Sequence, residues 1–327
     1  MSIIIVSYNG LDFIKKCARS IKRQTYKNIE AIVVDNNSSD NTILYLKKNY
    51  PEIGTEQNKK NLGFAKANNI GVKKAKGTFL FFLNNDTELF PNAVEELVRR
   101  YQPNSILSGF QISARDKKSP GHAGDGMDIF GYPCHDANSS KTKIFYADGV
   151  AMFLKKSDFI RLEMFDEKLF MFQEDVDLSW RAQIFGYKII PCAEAKLYHY
   201  YGGTAALDVS KSNKYITSYF RRYLNEKNVI RNIIKNYGVP VLCIIVPILI
   251  IFHLFEMTAF ILAGKFRAVI CYLQAYWWNI TQIKDTLKLR KKIQRKRVIN
   301  DWDIMNKMYW QYTKLKLFFK MGLPEFK

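Results

Sequence analysis

The chain reads as an α/β protein: a mostly parallel, Rossmann-like sheet flanked by helices, followed by a helical membrane-associated region. Three observations lead there. Short β-branched runs alternate with amphipathic helical repeats through the first hundred residues. A length of 327 residues, 48% hydrophobic and 24% charged, suits a large folded domain with an appendage and excludes disorder as the main state. The excess positive charge and the longest apolar runs both fall after residue 200.

Taken in order, residues 2–7 (SIIIVS) form a short β-branched strand. Residues 11–23 place Leu11, Ile14, Cys17, Ala18 and Ile21 on one helical face, with Lys and Arg opposite. A second strand at 29–34 stops at DNNSSD, and a helix follows over 40–49 with Ile43, Leu44 and Leu46 turned inward. After a short strand near 53–57 come a helix at 64–74, an apolar strand at 78–83 and a helix from about 92 to 100. Buried strands alternating with helices predict a parallel sheet, whose ligands bind at the carboxyl ends of the strands. Tyr8-Asn9, Asp35-Asn36 and Asn84-Asn85-Asp86 stand at three such ends, which points to one shared pocket.

The carboxyl-terminal part differs in kind. Residues 201–327 hold 22 basic and 7 acidic residues, a net +15 of the chain's +20. Residues 239–255 carry no charge, and 268–283 add Tyr272, Tyr276, Trp277 and Trp278. Residues 284–297 then hold eight basic residues and one acidic. Apolar, aromatic and polybasic in that order describes attachment to an anionic membrane surface and sets a nucleic-acid partner aside. The attachment is read as a spanning hairpin, as in-plane or re-entrant helices, or as a buried core helix. Lys265 and Arg267, in the connection, would lie on the far side of a hairpin, against the positive-inside rule. The expected organisation is a catalytic domain at 1–205, a helical linker at 206–237, hydrophobic membrane-associated helices at 238–283 and basic tail helices at 284–327.

Several classes are excluded. No phosphate-loop motif occurs, and no GxGxxG follows the first strand; Gly121, Gly124 and Gly126 read as a loop. Five scattered cysteines without a CxxC pair argue against a disulfide scaffold or a zinc ribbon and fit a reducing compartment. The amino terminus enters a strand at once, so no signal peptide is expected.

Seven segments together carry a resemblance: SIIIVSYNG (2–10), VVDNNSSD (33–40), NLGFAKANNIG (61–71), FLNNDTEL (82–89), ADGVAMFLKKSDF (147–159), QEDVDLSWR (173–181) and LYHYYGGT (197–204). On these the chain resembles family 2 glycosyltransferases of the GT-A fold, most of all a rhamnosyltransferase-like branch that builds surface polysaccharides. The resemblance implies an inverting single displacement from a UDP- or dTDP-sugar, such as dTDP-rhamnose, to a hydroxyl of a glycan or lipid-linked glycan. The apolar and basic carboxyl-terminal region would dock the protein at the bilayer, so work at the cytoplasmic face of the cell membrane is expected.

Negative charge develops on the leaving diphosphate, so a cation should stand there. Asp86 suits Mg²⁺ or Mn²⁺, although Asn84-Asn85-Asp86 replaces the first acid of the family's Asp-x-Asp-like motif with an amide. His199 read alone is a packed aromatic; the resemblance makes it a second metal ligand, suited to Mn²⁺, with Gly202 and Gly203 turning near the phosphates. The family's Asp at position 35 accepts from the N3–H of uracil or thymine, while the residue by itself also suits an Asx turn. Tyr8, Asn9, Asn61, Gly63, Lys66, Asn84 and Asn85 complete the implied nucleotide pocket, and Asp148 and Gly149 the acceptor and sugar pocket. Glu174, Asp175 and Asp177 by themselves read as acidic residues opening an amphipathic helix with Val176, Leu178, Trp180 and Ile184. The resemblance implies that the Glu174-Asp175 pair supplies the base, with Asp175 taking the acceptor proton and mutual repulsion raising one of the two pKa values. Trp180 reads as packing and Arg181 as a surface charge. The competing expectation is a non-catalytic nucleotide-sugar binding protein with a degenerate metal motif.

Overall fold

β1 (Ser2–Ser7) is buried along almost its whole length, as a strand covered on both faces must be. The computed structural model describes residues 1–116, 121–134, 144–201 and 215–327; Gly202 and Gly203 lie outside them. After β1 the chain runs through α1 (Leu11–Lys22), β2 (Glu30–Asp35), α2 (Thr42–Asn49), β3 (Gly54–Gln57), α3 (Gly63–Lys74), β4 (Phe79–Asn84), β5 (Thr87–Leu89), α4 (Ala93–Arg100) and β6 (Ser105–Ser113). Two short strands, β7 (Gly126–Met127) and β8 (Pro133–Cys134), precede β9 (Ala151–Lys155), α5 (Lys156–Arg161), a 3₁₀ turn at Glu167–Leu169, α6 (Glu174–Ile184) and β10 (Lys188–His199). The rest is β11 (Ile216–Thr217), α7 (Tyr219–Asn236), α8 (Val239–Leu262), α9 (Phe266–Thr281), α10 (Ile283–Arg295), α11 (Asp301–Met305), α12 (Thr313–Met321) and β12 (Glu325–Phe326).

The chain divides into two compact units. The first takes residues 1–125, 146–182 and 187–206, and the second 126–145, 183–186 and 207–327. Residues 126–145 and 183–186, flanked in sequence by the first unit, therefore belong to the second.

In the first unit eight strands form one sheet in the order β3-β2-β1-β4-β9-β6-β10-β5. β1 pairs in parallel with β2 and β4, and β6 in parallel with β10. β9 runs antiparallel between β4 and β6, and β5 antiparallel against β10. The sheet is thus parallel where alternation was legible and mixed beyond it. Ile3, Ile5, Val33, Phe81 and Leu83 bury one face against Ile14, Cys17, Ala18 and Ile21 of α1 and Val94 and Leu97 of α4. Each such side chain contributes about 1.5–3 kcal/mol. α3 lies on the other face, and Gly71 permits the approach: a Cβ there would stand 2.6 Å from Ile4 Cγ2.

In the second unit α7 is buried although rich in polar residues, among them Arg222, Glu226, Arg231 and Lys235. Glu226 sits at the centre of an ion network, 3.0 and 3.1 Å from Lys314 Nζ and 3.1 Å from Arg222 Nη1, and accepts the Tyr132 hydroxyl at 2.6 Å. Glu256 pairs with Lys314 at 2.8 Å and accepts from the hydroxyls of Tyr272 and Tyr312. α8 turns Val241, Ile245, Leu249 and His253 inward at four-residue spacing. Ile244, Ile248, Ile251, Leu254, Phe255 and Leu262 stay exposed. By length and composition the 24-residue α8 could cross a bilayer, whereas α9 has 16 residues and a span needs about 20.

Candidate active site

The sequence-predicted residues come from separate segments, and the sheet registers bring their elements to one edge. Ser7 lies opposite Asp35 and Val6 opposite Asn84, so β1, β2 and β4 end together. β9 begins at that edge, since Leu83 pairs with Ala151. β6 and β10 finish there too, with Ser113 opposite His199.

On the β1–β2 side, Asn9 takes a left-handed conformation with φ 50°. Its Oδ1 accepts from Ser39 N (2.8 Å) and its own N–H donates to Ser38 Oγ (2.8 Å), tying the two loops together. Tyr8 is exposed beside it. Asp35 is fully buried: Oδ2 accepts the Ser38 N–H at 2.9 Å and Oδ1 the Ser38 hydroxyl at 2.5 Å. The carboxylate thus closes the DNNSSD turn onto Ser38, three residues on rather than the two of an Asx turn, and each oxygen has a second lone pair. Asn36 Nδ2 donates to the Gly63 carbonyl (3.2 Å), and Asn61 Oδ1 accepts from Gly63 N (2.9 Å). Gly63 has φ +80°, and a Cβ there would stand 2.4 Å from the Phe170 carbonyl oxygen, so only glycine fits. Lys66 lies outside this cluster in a half-exposed pair with Glu167 at 3.3 Å.

Beyond β4, Asn85 Nδ2 donates to Ser7 Oγ at 3.3 Å, and the Asn84 carbonyl accepts from Thr87 Oγ1 at 2.7 Å. Asp86 and His199 are both buried, with Asp86 Oδ1 3.3 Å from His199 Nε2. The antiparallel pairing of Thr87 with His199 sets them side by side. The other imidazole nitrogen, Nδ1, is 3.1 Å from Gln111 Oε1, and the Tyr201 ring covers the imidazole at a centroid distance of 4.0 Å. Gln111 Nε2 donates to Asp148 Oδ2 at 2.9 Å. A carboxylate oxygen beside an imidazole nitrogen is a donor set that suits Mn²⁺.

Asp148 opens the turn before β9, and the next residue, Gly149, donates its N–H to Asp175 Oδ2 at 3.0 Å. A side chain at Gly149 would meet that carboxylate, 3.4 Å from the position of a Cβ. α6 begins at Glu174, which puts Glu174 and Asp175 in its first turn. Before it, Phe170, Phe172 and Gln173 all have φ near 68°, a concentration of backbone strain of the kind found at functional sites. Burial first, and then the charge of Asp148, pushes the Asp175 carboxyl up to about 7. Burial, reinforced by the Asp175 charge, pushes Glu174 well above the carboxylate range, and its Oε2 has no hydrogen-bond partner among the described residues. Next to Asp148, His122, Asp125 and Asp148 bring three ligand atoms within 4.8 Å of one another.

The sequence reading of Arg181 as a surface charge is corrected. Arg181 is buried, 2.9 Å from Asp177 and donating to the carbonyls of Met164 (2.8 Å) and Leu162. Asp177, four residues earlier on α6, draws it inward. Gln111, His122 and Asp125 were not singled out from the sequence. The one available signal concerned Gln111, the one long polar side chain in the strand SILSGFQIS, whose other polar residues are serines.

Residues 2–160 match the family described as Glycosyl transferase family 2. An uncharacterized glycosyltransferase of Rickettsia prowazekii is 37% identical over 98 residues, 30% of either chain. Glycosyltransferase GlyG of Streptococcus pneumoniae is 31% identical over 107 residues, 31% of this chain and 35% of GlyG. The aligned stretch thus spans about a third of the length of these relatives. Among solved structures, GalNAc-T7 with UDP, GalNAc and Mn²⁺ superposes with a TM-score of 0.57 at 17% identity, covering 73% of this chain and 48% of that one. The mannosyltransferase PcManGT from Pyrobaculum calidifontis, in complex with GDP-Man and Mn²⁺, gives 0.50 at 17% identity over 92% and 87%. At such identities the likeness is one of fold, and the fold is GT-A.

Proposed function

We propose that the protein, whose residues 2–160 match glycosyl transferase family 2, moves a sugar from a UDP- or dTDP-sugar, dTDP-rhamnose among the candidates, to a hydroxyl of a glycan or lipid-linked glycan. The observation that carries this reading is one continuous polar path at the sheet edge. It runs from Asp86 to His199, Gln111 and Asp148, and through the neighbouring Gly149 to Asp175. One end offers a carboxylate and an imidazole to a cation, and the other a carboxylate with its pKa near neutrality. Structures of the same fold hold UDP or GDP-sugar together with Mn²⁺.

In this mechanism Asp86 and His199 would hold Mn²⁺ or Mg²⁺, and the ion would supply positive charge against that of the departing diphosphate. Asp175 accepts the proton of the attacking hydroxyl. The Gly149 N–H holds its Oδ2 in place, and the burial of Glu174, with the Asp175 charge beside it, disfavours a second negative charge there. Asp148, accepting from Gln111 and from Val150 N (3.1 Å), lines the sugar and acceptor side. Asp35, Asn9 and Tyr8 form the nucleotide side; a pyrimidine N3–H would use the remaining lone pairs of Asp35.

The acceptor is proposed to be presented at the cytoplasmic face of the cell membrane. Support comes from the second unit. α9 buries Ala268, Cys271, Tyr272, Ala275 and Asn279 and exposes Phe266, Ile270, Leu273, Trp277 and Ile280 on another face. α8 shows the same division, its inner side tied by His253 and Glu256 to tyrosine hydroxyls. Helices with one face bonded to the protein and the other apolar suit in-plane attachment better than a spanning hairpin. Lys284, Lys288, Lys291, Lys292, Arg295 and Lys296 are exposed for anionic headgroups.

The test is Asp175→Asn. Donor binding, measured calorimetrically with UDP and dTDP, should be retained while kcat falls at least about a hundredfold. Near-normal turnover removes Asp175 as the base. A non-catalytic binding protein is the reading favoured by Asn84 standing where an acid is expected; binding of a sugar nucleotide without transfer or hydrolysis by the unaltered protein would establish it.

A further inference from the structure

Gln111 is buried on β6, and its side chain joins two functional groups that the sequence separates widely. Its backbone is held by a reciprocal pair of hydrogen bonds with His122, at 2.7 and 3.0 Å, which fixes the point from which the side chain leaves the strand. The amide has one donor end and one acceptor end. Asp148 decides which faces where. An ionised carboxylate only accepts, so the atom 2.9 Å from Asp148 Oδ2 must be the amide nitrogen. The oxygen then faces His199 Nδ1 at 3.1 Å, and an oxygen can only accept there. His199 is therefore protonated on Nδ1. In the neutral ring this leaves Nε2 as a bare lone pair, 3.3 Å from a carboxylate oxygen of Asp86. A lone pair and a carboxylate oxygen so placed are both atoms that can serve a divalent cation.

We infer that Gln111 is a positioning residue: held by Asp148 at its amide nitrogen, it fixes His199 in the tautomer whose Nε2 can ligate a divalent cation with Asp86. The inference rests on the reading of Asp86 and His199 as the cation's holders. Partners of this kind on the far nitrogen of a ligating histidine raise its basicity and orient the ring, and their loss weakens metal affinity about 10–100-fold. Gln111 touches no reacting atom. It acts through His199 on the metal side and through Asp148 on the acceptor side.

The experiment is a titration of the full chain with Mn²⁺ alone at one fixed pH, with free Mn²⁺ read by electron paramagnetic resonance. Circular dichroism and thermal unfolding of each variant accompany it. Gln111→Leu removes both contacts and should weaken Mn²⁺ about 10–100-fold. Gln111→Glu keeps an acceptor for Nδ1–H, so it should hold Mn²⁺ near the unaltered affinity while raising the KM for the acceptor through repulsion of Asp148. A merely space-filling role would not separate these variants. Equal losses in both, or no loss in Gln111→Leu while His199→Ala weakens binding, overturns the inference and leaves the metal assignment standing. If His199→Ala changes nothing and His122→Ala abolishes binding, the ion belongs to the His122, Asp125 and Asp148 set. The metal assignment then falls and the inference with it, as both do if the unaltered chain binds no Mn²⁺.

Discussion

Asp175 shows how far surroundings can move one carboxyl. Because burial and the Asp148 charge raise it to about 7, kcat/KM should climb with pH through the neutral range as the base ionises. Asp148→Asn should shift that rise to lower pH. The sign for stability is opposite: a carboxyl whose folded pKa exceeds its unfolded value loses stability as pH rises between the two. Asp175→Asn should thus unfold at a higher temperature than the unaltered chain at pH 8 and show little difference at pH 4. A flat pH profile, or equal melting at both pH values, would contradict the buried charge. Much of this pocket was legible as residue types, since Asp35, Asp86, Asp148, Asp175 and His199 fall in recognisable segments. Gln111 was not, because its role depends on Asp148, 37 residues away; nor was the burial of Arg181, because besides Asp177 it needs the carbonyls of Leu162 and Met164, whose proximity only the folded chain supplies.

Among the elements, α7 carries a burden its sequence does not advertise. Lys314, His253 and Arg222 hold Glu226 at about 2 despite a burial that would raise it. This depressed carboxyl contributes stability that is complete above its ordinary 4.5 and drains as pH falls toward 2. Lys314→Met leaves Glu226 short of a partner and should destabilise the second unit by about 3–5 kcal/mol. Urea unfolding followed by tryptophan fluorescence at pH 7 would read this, and a loss below about 1 kcal/mol would mean the pair is solvated. The strands of the first hundred residues were legible because β-branched runs bounded by turn residues leave few alternatives. The direction of β9 was not, since Ala151–Lys155 has the same apolar pattern whichever way it runs. Nor was the structural use of the basic run: Arg290 caps the end of α7 through the carbonyls of Ile234 and Tyr237, both at 2.5 Å, and Arg297 pairs with Asp301 at 2.9 Å.

For the molecule as a whole, a net charge of +20 with exposed apolar helix faces makes a simple expectation. The protein should co-sediment with vesicles containing anionic lipid, less so with neutral ones, and salt should weaken but not abolish the binding. Trp277→Asp, on the exposed face of α9, should reduce it at least tenfold while leaving the melting temperature unchanged. No sedimentation with either vesicle would remove the membrane reading and leave the chemistry of the first unit untouched. The two-unit division has a further effect during synthesis. Residues 126–145 leave the ribosome early, yet their partners do not exist until the end of the message has been read: Asp128 accepts from Thr313 N at 2.8 Å, and Tyr132 meets Glu226. At about 5–20 residues per second the nascent segment waits roughly ten to forty seconds, with apolar side chains such as Phe130 exposed to whatever chaperone is at hand.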